Sequence, residues 1–282
     1  MSRGFFTFAQ GDQYVRMAYA LALSLKASQS KYDKLSIGIT EGYKVPEEYA
    51  WAFDKIIEIP WGDDADGRTW KLHNEWKSIY MSPYDETIKL DADMLFTVDI
   101  TKWWDELSRQ DAVMCKDVVN FRHELVTNDY YRKVFTDNLL HNSYSAFFYF
   151  KKTEWTFNFF KYIEMWFKNW KLMSEMFLNA KTRPAELSTD VIFGVASKVM
   201  EIESIKKSIF HPKFVHMKTE LQNWNSEETV IPEEWVEHVP VFFNNDCELY
   251  IGNFKQNYPV HYHDKSFLTD DIIKTLERKV KR

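Results

Sequence analysis

Apolar positions fall into two alternating rhythms over the first hundred residues, and together they predict a layered α/β fold. Gly4 to Ala9, Leu35 to Thr40, Ile56 to Ile59 and Thr87 to Leu90 are short apolar runs of the kind that form buried strands. Between the first two, Val15, Ala18, Tyr19, Ala22 and Leu25 recur at helical spacing, so Tyr14 to Ser28 is expected to be a helix. Pro46 to Phe53 predicts a short helix with proline in its first turn, and Lys71 to Met81 a helix that stops before Pro83. Strand alternating with helix is the signature of a mostly parallel, Rossmann-like sheet flanked by helices. Ligands bind such sheets beyond the carboxyl ends of the strands, which would set Gln10 to Tyr14 and Asp91 to Asp93 on one rim.

Beyond Ala112 to Cys115 the rhythm is less regular. Ala146 to Phe150 predicts a strand, Trp155 to Leu178 a long helical stretch, and Leu187 to Val199 a loop leading into a helix that starts near Ser188 or Thr189. Phe214 to His216 reads as a short strand, and residues 225 to 265 as an appended lobe of loops and short strands. Thr269 to Lys281 is a helix with Asp270 and Asp271 at its start and Arg278, Lys279 and Lys281 at its end, as the helix dipole prefers. No repeat or low-complexity tract divides the chain, so a single domain with an insertion-rich second half is expected.

Candidate chemistry concentrates at Thr87-Ile88-Lys89-Leu90-Asp91-Ala92-Asp93, a strand that runs into two carboxylates one residue apart. A strand end can aim both acids at one hard cation, and oxygen ligands suit Mg²⁺ or Mn²⁺ better than zinc. A second Asp-x-Asp, Asp64-Ala65-Asp66, lies in a polar run and reads as a solvated loop. Only the later pair follows a strand and precedes an apolar step, Met94-Leu95-Phe96.

Composition narrows the class further. A chain of 282 residues can bury a full core, and 11 Trp, 15 Tyr and 22 Phe supply both packing and flat platforms for sugars or nucleobases. The apolar stretches are far shorter than the roughly 20 residues that cross a bilayer. No signal-peptide pattern is evident at the N-terminus, and Cys115 and Cys247 make no disulfide framework. A cytoplasmic setting is expected. The net charge of −6 is uneven, because Lys151 to Lys218 holds 12 Lys or Arg against 7 Asp or Glu and is +5 while the remainder is −11. Such asymmetry permits a polyanionic partner, though a solvated helix surface accounts for it as well.

The run Phe6-Thr7-Phe8-Ala9-Gln10-Gly11-Asp12-Gln13-Tyr14-Val15, followed by Ala18, Leu21, Leu23 and Ser24-Leu25, resembles the first strand and helix of glycogenin-like glycosyltransferases, which have the GT-A fold. The resemblance implies that Phe8, Ala9, Gln10 and Tyr14 hold the base of a UDP-sugar. Lys71-Leu72-His73, before Trp76, is similar to the family's lysine-bearing helix that reaches the sugar phosphate, and Asp91-Ala92-Asp93 to its metal-binding Asp-x-Asp. Lys213-Phe214-Val215-His216, with Trp224, resembles the strand whose histidine completes the metal site. The family's glycine and lysine after that histidine are replaced by Thr219 and Gln222, leaving Lys218 as a stand-in phosphate contact. Val260-His261-Tyr262-His263-Asp264-Lys265 competes for the same role; His216 is the first choice and His261 the second. Tyr144-Ser145-Ala146-Phe147 looks like the family's sugar-contacting segment, and Thr189-Asp190 like the acidic residue beside the donor sugar. The clear part of the resemblance covers residues 4 to 100, is thin from 140 to 224, and stops there.

The residue pattern predicts a C-terminal lobe and helix over 225–282, and the resemblance implies a nucleotide-sugar-binding half over residues 1–115 and an acceptor and sugar half over 116–224. It implies a retaining transfer from a UDP-sugar, with Mn²⁺ or Mg²⁺ on Asp91, Asp93 and a histidine, Lys71 neutralising phosphate, and Asp190 stabilising charge on the sugar or placing the acceptor. The acceptor stays open between a saccharide and a modified DNA base, hydroxymethylated cytosine, as used by sugar transferases of large bacterial viruses. Two other classes compete. A nucleotidyltransferase also uses strand-end acids with Mg²⁺, but Gln10-Gly11-Asp12 is no glycine-rich basic loop. A non-catalytic sugar-binding module would need neither the metal nor Asp190. Each acid and histidine also has a bland reading, since Asp190 near a helix start could be a cap and a lone histidine a bonded core residue.

Overall fold

The computed structural model describes residues 1–32, 34–68, 71–126, 132–201, 211–217, 241–244, 246, 248–262 and 264–281. The first strand, β1 (Arg3–Phe8), turns at Gly11 into α1 (Asp12–Ser28). Gly11 has a φ of 83°, a left-handed conformation that glycine adopts without strain. The chain continues through β2 (Leu35–Ile39), α2 (Glu47–Ala50), β3 (Ile56–Glu58), α3 (Ser78–Met81) and β4 (Glu86–Leu90), in the order the apolar rhythm predicts. After the acids come β5 (Met94–Leu95), α4 (Trp103–Leu107), β6 (Ala112–Cys115), β7 (Asp117–Val119), α5 (Lys133–Asp137) and β8 (Tyr144–Lys151). The rest comprises α6 (Glu154–Lys168), α7 (Trp170–Phe177), α8 (Thr189–Val199), β9 (Lys213–His216), β10 (Val241–Phe243), β11 (Leu249–Ile251), β12 (Phe254–Lys255), β13 (Val260–His261) and α9 (Asp270–Val280).

The main sheet has six strands in the order β3-β2-β1-β4-β8-β6, parallel from β3 to β4, with β8 antiparallel to both neighbours. Alternation along β1 divides its side chains between two layers. Phe5 joins the core formed with α1 and α9, whereas Phe6 and Phe8 pack with Ile59 and Met81. Along β8, Phe147 and Tyr149 face the first layer, and Phe148 and Phe150 face α6 and α8. Each fully buried ring of this kind stabilises the fold by about 1.5–3 kcal/mol.

A second sheet, β5-β13-β9-β7, matters more for the site. Within it β13 runs antiparallel to β5 and parallel to β9, with His261 opposite Met94 on one side and His216 on the other. Val260, His261, Tyr262 and Lys265 therefore belong to the framework of the acid rim rather than to an appended lobe. The strands β10, β11 and β12 do make a separate small antiparallel sheet.

Two expected helices differ. Residues 71 to 74 form turns, Glu75–Lys77 a 3₁₀ segment, and only Ser78–Met81 is α-helical. The cause is tertiary. Asn74 donates to Asp63 Oδ1 (2.6 Å), and Lys77 donates to the Gly62 carbonyl (2.6 Å), so these side chains staple the preceding loop instead of facing solvent. The long stretch from 155 to 178 breaks at Asn169, whose side chain donates to the Met165 carbonyl and ends α6.

Candidate functional site

Asp91 and Asp93 leave the tip of β4, and the chain then folds straight into β5. The Asp91 N–H donates to the Ala146 carbonyl of β8 (2.9 Å), and the Tyr262 N–H to the Asp93 carbonyl (3.0 Å). Those two bonds fix the acid tip between the main sheet and β13. His261 consequently faces both acids, with Nε2 3.1 Å from Asp93 Oδ1 and 3.8 Å from Asp91 Oδ2. One ligand atom from each of Asp91, Asp93 and His261 lies within 4.8 Å of the others.

The other carboxylate oxygens meet lysines. Lys265 Nζ is 2.5 Å from Asp93 Oδ2, and Lys89 Nζ is 2.6 Å from Asp91 Oδ1 and 2.5 Å from Glu75 Oε2. Burial alone would raise the Asp93 carboxyl, but His261 and Lys265 hold it well below its ordinary range. Burial likewise pulls His261 down, and Asp93 and Asp91 more than offset it, so the imidazole is held above its ordinary value. Two carboxylates and a buried imidazole converging on one point fit a divalent cation of the Mg²⁺ or Mn²⁺ type, with His261 as a neutral nitrogen ligand.

The histidine preference is thereby reversed. His216 sits one strand further from the acids, across β13, and packs against His261 with ring centroids 4.9 Å apart. It belongs to the same cleft but not to the three-atom cluster.

The cleft measures about 410 Å³ and opens at the carboxyl ends of the parallel strands. Phe8, Gln10, Tyr14, Lys71, Asp91, Ala92, Asp93, Tyr144, Ser145, Asp190, His216 and His261 all line it. Ala9 is buried behind that wall, and Lys218, Thr219, Gln222, Trp224 and His263 lie outside the described residues. Lys71 reaches the loop it follows, donating to the Ala65 carbonyl (3.0 Å). Asp64 and Asp66 are exposed, as a solvated loop requires.

Asp190 stands on the opposite wall. Ser188 caps α8 by accepting from the Val191 N–H, which leaves Asp190 available for another role. Its Oδ1 accepts from the N–H and the hydroxyl of Ser145, each at 2.8 Å, and its Oδ2 from Arg132 at 2.6 Å. The Arg132 guanidinium lies between the rings of Phe135 and Tyr144, 4.0 and 3.9 Å from their centroids.

Sequence reasoning missed Glu75, Lys89 and Arg132. One signal was present, for a lysine between Ile88 and Leu90 in a buried strand needs an internal partner. Burial pushes the Glu75 carboxyl up from 4.5 to about 7, with Lys89 opposing and Asp91 and Asp190 adding to the rise. A carboxyl raised on folding binds more protons in the folded state, so its contribution is fully present below about 4.5 and is lost as pH rises through about 7. Urea unfolding across that window should show declining stability that Glu75→Gln flattens; an equal slope in the variant contradicts this assignment.

No protein-family model matches the sequence, and no curated protein matches it. Solved structures do. The galactosyltransferase LgtC in complex with donor and acceptor sugar analogs is similar over 99% of this chain and 94% of its own, at 13% identity and a TM-score of 0.55. An active-site mutant of LgtC matches over the same shares at 13% identity and 0.54. Mouse xyloside xylosyltransferase 1, apo form, covers 93% of this chain and 98% of its own at 10% identity and 0.48. At such identities the likeness is one of architecture: in fold, this chain is similar to glycosyltransferases of the GT-A type.

Proposed function

We propose that this protein is a metal-dependent, glycogenin-like glycosyltransferase that moves a sugar from a UDP-sugar to an acceptor hydroxyl with retention of configuration. The observation that carries the reading is the convergence of Asp91, Asp93 and His261 within 4.8 Å at the strand-end cleft. A divalent ion held there would supply positive charge to the departing diphosphate. The chain's own groups do the rest. The end of β1 from Phe8 to Gln10, with Tyr14, holds the base. Tyr144, Ser145 and Ala92 border the sugar. Lys71 and Lys265 face the diphosphate, and Lys265 takes the role that the sequence assigned to Lys218. Charge placed where it grows in the transition state lowers the barrier.

Asp190 stabilises positive charge developing on the sugar. Arg132 and Ser145 hold its carboxylate in one orientation. The half formed by residues 1–115 takes the donor, residues 116–224 take the acceptor, and a saccharide acceptor in the cytoplasm fits the cleft. Among the described residues no helix is long and apolar enough to cross a membrane.

The test incubates the protein with Mn²⁺ and a panel of nucleotide sugars. UDP release that rises with added saccharide acceptors is expected. Pyrophosphate release would mark nucleotidyl transfer instead, and absence of turnover with every donor would leave only a binding module. His261→Ala should raise the Mn²⁺ concentration needed for half-maximal turnover by about tenfold or more, with little change in His216→Ala. The opposite ranking would return the ligand role to His216.

A further inference from the structure

Helix α7 rests on the core through Trp170, Met173 and Ser174, yet it also carries apolar side chains that the core does not cover. Leu172, Met176 and Phe177 are 58, 64 and 59% exposed, the last with its ring against Trp166. A helix resting on a soluble core turns its apolar stripe inward. Leu172 and Met176, one turn apart, instead share an outward face. Met165 near the end of α6 is also partly exposed, at 38%.

Charge around these side chains points to one kind of partner. Lys161, Lys168, Lys171 and Lys181 are exposed on this ridge. Residues 161 to 183 hold five Lys or Arg against two Glu, giving +3 in a chain of −6. Two-fold pairing with a second copy would set these lysines against each other. Apolar side chains ringed by lysines match the interface of an anionic bilayer, where the former enter the acyl boundary and the latter meet head groups.

We propose that the ridge formed by α7 and the end of α6 docks this protein on an anionic membrane surface. The segment after α7 returns to the cleft, where Pro184, Glu186 and Leu187 line its wall, so docking would bring the cleft mouth near the lipid plane. Docking does not depend on the transferase reading and is measured without substrate.

The experiment is co-sedimentation of the full chain with phosphatidylcholine vesicles, with and without phosphatidylglycerol. Binding to the anionic vesicles is expected, weakened by high salt and by Lys171→Glu with Lys181→Glu. The combined Leu172→Ser, Met176→Ser and Phe177→Ser variant should lose about tenfold or more in partitioning. Leu172→Ser with Met176→Ser, which keeps the Phe177 ring against Trp166, should also reduce partitioning while circular dichroism and melting stay those of the parent. Absence of binding, or equal binding by parent and triple variant, overturns the proposal. So does a concentration-dependent dimer that the triple variant abolishes, which would assign the ridge to a second copy.

Discussion

Asp93→Ala is expected to reduce UDP release by about 100-fold or more, the scale of losing one interaction made in the transition state. The same substitution should lower stability. Asp93 is nearly buried and pairs with both His261 and Lys265, so its removal leaves the Lys265 ammonium and the His261 imidazole without their shared acceptor. Removing one member of a buried pair typically costs about 3–5 kcal/mol, and the partial exposure of Lys265 relieves some of that. Asp91→Ala tests the same chemistry from the other acid, with Lys89 retaining Glu75 as partner. Measuring turnover beside a thermal melt separates loss of chemistry from loss of fold. Undiminished turnover in either variant would remove the proposed site.

Lys89→Met should be the most destabilising single change near the cleft. Its ammonium is buried between Glu75 and Asp91, and Glu75 is itself almost fully buried. Deleting it strands two carboxylates in a low-dielectric wall, at a cost of about 3–5 kcal/mol. Asp91 would also lose the contact that fixes one of its oxygens, so turnover should fall with stability. Adding Glu75→Gln should restore part of the loss, because the neutral amide no longer needs a cation. Urea unfolding of the two single variants and the double variant gives the coupling directly. Additive effects would show that Lys89 and Glu75 act independently, contrary to their geometry.

How far the sequence reached follows from where its information is local. The strands and helix from Arg3 to Ile39 were legible because periodicity alone sets which faces are buried. The two aspartates were legible because a strand and an apolar step frame them. Lys71 to Met81 was not, since Asn74 and Lys77 turn toward the preceding loop, and propensity carries no sign of that. The choice between His216 and His261 depended on pairing among Met94, His261 and His216 across three distant strands. No spacing rule encodes that register. Arg132 was missed because its meaning comes only from Phe135, Tyr144 and Asp190 closing around it. Lys89 stood in plain view as a charge in an apolar strand, yet its partner Glu75 needed the fold.

In the proposed reaction Asp91 and Asp93 grip a divalent ion beside the nucleotide pocket. Electron paramagnetic resonance of Mn²⁺ titrated into the protein with UDP present measures this most directly. A single tight Mn²⁺ is predicted for the parent chain, lost in both Asp91→Ala and Asp93→Ala while each remains folded. Tight Mn²⁺ binding that survives both substitutions would put the ion elsewhere and leave the two aspartates without this role.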